Sequence, residues 1–269
     1  MKVLVVGGSG GVGTSVIPYL QRAGHQIRVL DVNPPAHDVE FVKGSISSLD
    51  DVKAALQGVD TFIVMVMRNP QGGHSSAQTL EDIVNNYEVN ALGLHLFLYC
   101  AQEAGIKRGI YTSTMSVHYR YREWFNSEEA VPLDSPSVYG LTKGFGEEIC
   151  EYFARWFDMN LLAFRITAPR SEDDWLKERR APIVYSHVRE SGNHRAPDSG
   201  RSEEHVTLFV THPADLADAY ARGLEVVQRG NARFDAIFIA GDEDGLEHNL
   251  TKAQRVLGWQ PRRYTPDAD

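Results

Sequence analysis

Cysteine, basic charge and long apolar runs are all in short supply in this sequence. The two cysteines, Cys100 and Cys150, fall in separate helix-like stretches. Neither a disulfide framework nor a cysteine metal site is expected from them, and both read as buried thiols. Lys and Arg number 27 against 36 Asp and Glu, a formal net charge of -9, which argues against a broad nucleic-acid surface. No apolar run reaches the roughly 18 residues that a membrane span needs, so no membrane partner is expected. The N-terminus starts on a strand-like run and lacks the charged-then-apolar layout of a signal peptide, which predicts a cytoplasmic protein. The 10 histidines are scattered; His205 and His212 flank a strand-like run instead of standing at ligand spacing, and no metal is expected.

What is present is a chain of 269 residues, 42% hydrophobic, enough to bury one substantial core. Strands are predicted at 3–6, 26–30, 40–42, 61–67, 109–114, 160–166 and 236–240. Helices are predicted over 12–23, 50–57, 80–104, 137–157, 213–227 and 251–257, with Pro18 a potential kink in the first. The 61–67 run is apolar throughout, as suits a central parallel strand covered on both faces. Strands alternating with helices imply right-handed βαβ units and an α/β fold: a doubly wound, parallel, Rossmann-type sheet with a small C-terminal substrate-binding part. Residues 1–167 would form the nucleotide-binding domain with its catalytic helix. Residues 168–269 would supply a substrate lid and a C-terminal part interleaved with that domain. Between Ala168 and His205 the pattern breaks down into Arg, Glu, Asp, Ser and Gly, which reads as a partly ordered lid.

Two overlapping glycine spacings, in Gly7-Gly8-Ser9-Gly10-Gly11-Val12-Gly13, lie between the first strand and the first helix. Glycine suits the sharp turn there, and a β-carbon would hold a pyrophosphate away. The helix start then offers free N–H groups and a partial positive charge to phosphate. Asp31, 18 residues after Gly13, ends the second strand. Its carboxylate can accept hydrogen bonds from both adenosine ribose hydroxyls and would repel a 2′-phosphate, which selects NAD over NADP. The competing reading is an aspartate that merely opens the Asn33-Pro34-Pro35 turn.

Tyr139 and Lys143 stand four residues apart in a predicted helix and so share a face. A tyrosine with a pKa near 10 is a poor base at neutral pH, but a nearby ammonium and an oxidised nicotinamide both favour the phenolate. One such charge at about 4 Å contributes roughly 4 kcal/mol at an effective dielectric near 20. Thr114, at the end of the preceding strand and 25 residues before Tyr139, offers a hydroxyl to hold the substrate oxygen.

These motifs resemble those of an extended short-chain dehydrogenase/reductase of the NAD-dependent epimerase/dehydratase family. The similarity continues through Asn90-Ala91-Leu92-Gly93 (N-V-x-G in the family), the 111–117 turn, Glu147 and a closing 252–261 segment similar to K-A-x-x-x-L-G-W-x-P. It implies Tyr139 as acid/base, Lys143 as the residue that orients the nicotinamide ribose and lowers the tyrosine pKa, and Thr114 as the catalytic hydroxyl. It also implies cofactor contacts by Gly7, Gly10, Gly11, Val12, Gly13, Asp31, Ser45, Ile46, Met65 and Asn90. The 91–104 helix is apolar nearly all round, which together with the resemblance points to a homodimer built on it and the 139–157 helix; the alternative is a monomer whose lid covers that surface.

The departures from the family pattern concern the substrate. Ser45 stands where the family usually has aspartate, Met65 to Arg68 replace smaller residues, and Ala168 replaces the asparagine that grips a nucleotide. The chain is also short for a nucleotide-sugar enzyme. The 141–147 run, L-T-K-G-F-G-E, is similar to that of uronate dehydrogenases, although Met115-Ser116 replaces their Asn-His. A sugar or sugar-acid carbinol is therefore the expected hydride donor, with Arg68, Met115, Ser116, Thr167, Arg170 and Lys177 as candidate substrate residues. Arg170, Lys177, Arg179 and Arg180 would meet a substrate carboxylate, or else are solvated charges among their acidic neighbours. Epimerase or dehydratase chemistry with tightly held NAD is the alternative. A dinucleotide sensor without catalysis has no need of the Thr114, Tyr139 and Lys143 set.

Overall fold

The computed structural model describes residues 1–68, 78–119, 122, 124–180, 209–230 and 233–262. Seven strands, β1 (Lys2–Val6), β2 (Gln26–Asp31), β3 (Glu40–Lys43), β4 (Thr61–Val64), β5 (Arg108–Thr114), β6 (Asn160–Ile166) and β7 (Phe234–Ile239), form one parallel sheet. Their order is β3-β2-β1-β4-β5-β6-β7. The order reverses between β1 and β4, and a doubly wound sheet opens a crevice at the carboxyl ends of the strands where that happens. The helices are α1 (Gly11–Arg22), α2 (Leu49–Leu56), α3 (Leu80–Asn86), α4 (Leu94–Glu103), α5 (Val138–Phe157), α6 (Glu172–Arg180), α7 (Pro213–Arg229) and α8 (Thr251–Leu257).

Side chains alternate across each strand, so the sheet splits its apolar residues between two cores. Val3, Val5, Ile110 and Leu162 face α1 and α7, meeting Val16, Leu20, Tyr220 and Leu224. Leu4, Val6, Phe62 and Leu161 face the other way, toward Val52 of α2, Phe97 of α4 and Phe153 of α5. Residues beyond 168 therefore complete the sheet domain: β7 pairs with β6 along Leu161–Ile166, and α7 packs beside α1.

Three elements differ from the sequence expectation. The 61–67 run leaves the sheet after Val64, because the Val66 backbone passes over Gly7; a Cβ on Gly7 would lie 2.5 Å from Val66 Cα. The single helix expected over 80–104 is interrupted by a π-helical stretch, Tyr87–Gly93. Such insertions widen the turn and re-aim side chains, and this one turns Asn90 into the interior. Finally, α6 forms inside the stretch read as irregular, with Glu172, Asp173 and Asp174 in its first turn, where negative charge meets the positive end of the helix dipole. Its buried anchor is Trp175, edge-on to His212 at 4.7 Å between centroids. The rest of the expected lid, 181–205, lies outside the described residues.

Candidate active site

A cleft of about 650 Å³ opens at the carboxyl ends of β1, β4 and β5. One end is floored by the loop from β1 to α1. Gly7 adopts φ +82°, which L side chains rarely take. Gly13 sits where a Cβ would fall 2.3 Å from the Gly8 carbonyl, so its lack of a side chain lets α1 dock on the loop. Gly11 faces open space, and a Cβ on Gly10 would meet just the Gly7 carbonyl, at 3.4 Å. Gly7 and Gly13 thus shape the turn, while Gly10, Gly11 and Val12 present backbone to the cleft.

The start of α1 is left open. Helices α2, α3 and α5 are closed by the side chains of Ser48, Thr79 and Ser137, each accepting a backbone N–H. At α1 the capping residue is Gly10, with no side-chain cap and no acidic residue in the first turn. Unsatisfied N–H groups facing a cleft make an anion site, and the space left by Gly10 and Gly11 fits a pyrophosphate.

Asp31 closes this end of the cleft. Its carboxylate accepts from the Ser9 N–H at 3.1 Å and the Asn33 N–H at 3.0 Å, so it braces both the glycine loop and the following turn while lining the cleft. Ser45, Ile46 and Met65 line the adjoining wall. Ser45 is held by its N–H to Asp51 Oδ2 at 3.0 Å, and its hydroxyl accepts from the Ser47 N–H at 3.2 Å.

The other end is built by β5 and α5. Thr114 ends β5, accepts the Ser116 N–H at 3.1 Å and lines the cleft together with Tyr139 and Lys143. Close packing makes this possible: a Cβ on Gly140 would lie 2.0 Å from the Ser116 carbonyl, so only glycine lets α5 press against the turn after β5. Gly146 plays the same part against Tyr111, whose hydroxyl donates to the Lys143 carbonyl at 3.2 Å. Lys143 Nζ lies 4.3 Å from the centroid of the Tyr111 ring. Glycine inside a helix costs about 1 kcal/mol relative to alanine, so the glycines of α5 were a signal of close approach that the motif reading passes over.

Burial dominates the electrostatics here. It pushes Tyr139 up to about 12, opposed by the neighbouring Thr114 hydroxyl, and pulls Lys143 down to about 7, opposed by the negative charge of nearby Glu147. The sequence expectation was a tyrosine drawn down by its lysine. In the protein's own field the desolvation of both groups outweighs that attraction.

Behind α5 lies an ionic network absent from the motif reading. The Arg165 guanidinium donates to both Glu147 oxygens, at 3.0, 3.1 and 2.6 Å, and to the Glu128 carbonyl at 2.9 Å. Ser113 donates to Glu147 Oε1 at 2.5 Å. His118 donates from Nδ1 to the Pro132 carbonyl at 2.8 Å and turns Nε2 toward Arg165 at 3.3 Å, so Nε2 acts as acceptor. Desolvation, with the Arg165 charge adding to it, lowers the His118 pKa to about 4.

Of the candidate substrate residues, Arg68, Ser116 and Arg170 line the cleft beside Tyr139. The others are placed elsewhere. Met115 packs against the Phe125, Val131 and Phe238 cluster. Thr167 is spent on holding the chain at Phe209 and Thr211, with hydrogen bonds of 2.5 and 2.8 Å. Lys177 points outward and pairs with Asp174 at 3.1 Å. Asn90, expected at the cofactor, lies beneath the wall: it accepts the Arg68 N–H and donates to the Arg68 carbonyl and to Thr142 Oγ1. Among the described residues, no group of three or more His, Cys, Asp or Glu is arranged to hold a metal ion.

The signature of the NAD dependent epimerase/dehydratase family matches residues 3–233. A 3-beta-hydroxysteroid dehydrogenase of Mycolicibacterium neoaurum is 34% identical over 154 residues, 55% of this chain and 42% of that relative, so the chain spans less than half the relative's length. A UDP-glucose 4-epimerase of Lactobacillus helveticus is 24% identical over 324 aligned positions, covering 99% of this chain and 94% of the relative. The solved structure of MoeE5 in complex with UDP-glucose and NAD shares the fold, with a TM-score of 0.75 at 19% identity over 99% of this chain and 95% of that one. A glycine loop at the switch point, a tyrosine and lysine on one helix, and a family signature running through both lead to one conclusion: the chain belongs to the NAD-dependent epimerase/dehydratase family.

Proposed function

We propose that the protein is an NAD-dependent oxidoreductase that moves hydride between NAD and a carbinol of a sugar or sugar acid. The observation that carries this reading is the placement of Thr114, Tyr139 and Lys143 together on the wall of the cleft that the glycine loop floors. NAD, when bound, supplies the hydride acceptor. Gly10, Gly11 and Val12 hold its pyrophosphate through backbone N–H groups, with Gly7 and Gly13 fixing the loop. Asp31 receives the adenosine ribose, Ser45, Ile46 and Met65 border the adenine, and Asn90 braces the wall from behind. Tyr139 takes the substrate hydroxyl proton, Thr114 steadies that oxygen, and Ser116 and Arg170 border the substrate. Lys143, drawn down to about 7, switches charge around neutrality beneath the tyrosine. With Tyr139 up at about 12, its protonated form dominates at neutral pH, so oxidation gains as pH rises and reduction gains as pH falls.

Tyr139→Phe is expected to lower turnover by about 10²- to 10⁴-fold while NADH affinity, read by fluorescence titration, stays unchanged. Turnover at the wild-type rate in that variant would reject the mechanism. The alignment with an epimerase over 99% of the chain favours a second reading, epimerase or dehydratase chemistry with retained NAD. Denaturing freshly purified protein separates the two: near-stoichiometric NAD in the supernatant supports retention, and an empty protein that binds NAD reversibly supports a dehydrogenase. Release of NADP would overturn the role given to Asp31.

The wider organisation follows the same reading. Residues 1–167 serve the cofactor, and 168–269 serve the substrate while completing the sheet. Leu92, Tyr99, Tyr152 and Trp156 leave an exposed apolar face on α4, α5 and the turn before α4, which suits a homodimer. Among the described residues no helix is long and apolar enough to cross a membrane, and a cytoplasmic location accords with that.

A further inference from the structure

The cleft reverses the charge of the chain around it. The protein carries a formal charge of -9, yet among the described residues that line the cleft the ionisable ones of basic type, Arg68, Lys143 and Arg170, outnumber the one carboxylate, Asp31. That carboxylate sits at the glycine-loop end, braced by Ser9 and Asn33, so no carboxylate among the described lining residues stands at the tyrosine end.

Arg68 is the residue whose placement this arrangement explains best. Arg68 is an exposed residue that lines the cleft, and it has no carboxylate partner among the described residues. Its backbone, in contrast, is clamped at both polar groups by one amide. The Arg68 N–H donates to Asn90 Oδ1 at 2.9 Å, and Asn90 Nδ2 donates to the Arg68 carbonyl at 3.1 Å. The same Nδ2 reaches Thr142 Oγ1 at 3.1 Å, and Thr142 adjoins Lys143 on α5. The π-helical stretch that turns Asn90 inward therefore fixes the root of Arg68 relative to the helix that carries Tyr139 and Lys143. A guanidinium whose backbone root is held is a fork for an oxyanion that starts from a fixed point. Lys177, one of the four lid cations that the sequence reading offered to a substrate carboxylate, is turned away and paired with Asp174.

We propose that Arg68 is the specificity-determining anion anchor of this cleft, and that the substrate is an acid whose carboxylate pairs with the Arg68 guanidinium while its carbinol lies at Tyr139. The assignment rests on the oxidoreductase reading of the same site and narrows it from sugars in general to acids. The anion at Arg68 has two sources, the substrate carboxylate or the cofactor pyrophosphate, and the proposal takes the first.

The test uses the full chain saturated with NADH, wild type against Arg68→Met and Arg68→Lys. Methionine keeps much of the stem, and the clamp with Asn90 uses only backbone of residue 68, so the fold is retained. Calorimetric titration with inorganic phosphate, an oxyanion without shape requirements, is expected to show binding in wild type that weakens about 10- to 100-fold in Arg68→Met and recovers partly in Arg68→Lys. No phosphate binding to wild type, or equal binding to Arg68→Met, overturns the proposal. A matching loss of NADH affinity in Arg68→Met overturns it too, because the cation would then serve the cofactor.

Initial rates with D-glucuronate and D-glucose, which differ at the carboxylate, give the second arm. Wild type is expected to prefer the acid, and Arg68→Met to lose that preference through KM with kcat changed little. A preference for glucose, or one that survives the substitution, counts against the anchor. If phosphate binding depends on Arg68 but neither sugar is turned over, it is the oxidoreductase reading with sugars that fails and the anion site that stands.

Discussion

At the glycine-loop end of the cleft the binding surface is made of backbone, whereas at the tyrosine end it is made of side chains braced by other side chains. Gly10 and Gly11 contribute an absence of Cβ atoms and an uncapped helix start, features fixed within seven consecutive residues. Thr114, Tyr139 and Lys143 instead depend on Tyr111, on Gly140 and Gly146, and on a buried network joining β5, β6 and α5. A site made of backbone tolerates change around it, while a site made of buried side chains transmits the loss of any one partner.

The sharpest way to break that comparison is to remove one member of the network. Glu147→Ala leaves the Arg165 guanidinium buried without its carboxylate, and urea unfolding is expected to show a loss of about 3–5 kcal/mol. Replacing both partners with apolar residues, Glu147→Leu with Arg165→Met, is expected to cost much less, because no unpaired charge remains. A double variant as unstable as the single one would mean that the network acts through shape and not charge.

Acid sharpens the same point. The folded pKa of His118, about 4, lies below the 6.5 of an unfolded histidine, so the unfolded chain takes up that proton first. Stability is then full above pH 6.5 and falls by up to about 3 kcal/mol as pH drops to 4. Asp242, held at about 2 against its ordinary 3.8, adds stability above pH 3.8 that is lost as pH falls through 2. Its carboxylate accepts three backbone N–H groups, from Leu246, Glu247 and His248, each at 2.8 Å. In thermal melts against pH, His118→Gln is expected to flatten the first window and leave the second in place.

The smallest expected effects distinguish two glycines of the loop. Gly13→Ala forces a methyl against the Gly8 carbonyl and is expected to cost about 1–3 kcal/mol of stability. Gly11→Ala meets open space, so stability is expected to hold while NAD affinity falls about tenfold, the new methyl standing where phosphate would lie. Equal losses of stability in the two variants, by differential scanning calorimetry, would remove the distinction between a packing glycine and a binding glycine.

Much of the fold was legible because each element carries its own signal. The apolar runs of β1, β5 and β6 are local, and local preferences here agree with the tertiary arrangement. The misread elements are those where a distant contact overrides the local pattern. The strand β4 stops early because Gly7 brings the Val66 backbone over the loop, and the expected 80–104 helix takes an extra residue per turn where Asn90 bonds Arg68 and Thr142. The helix α6 was hidden by its charge, since among its described side chains the buried one is Trp175.

The sequence by itself determined the doubly wound sheet, the place of the glycine loop and the spacing of Tyr139 and Lys143, because periodicity, glycine and helical spacing act over a few residues. Tertiary structure alone decided which candidate cations face the cleft. Arg68 lines the cleft and Lys177 does not, although both are candidate substrate cations in the sequence. The difference lies in an amide 22 residues away that clamps one backbone, and in an aspartate three residues away that pairs with the other side chain. The same holds for the charges of the site. Burial, a property of the folded packing, raises Tyr139 and lowers Lys143, where spacing along the helix had pointed to mutual stabilisation.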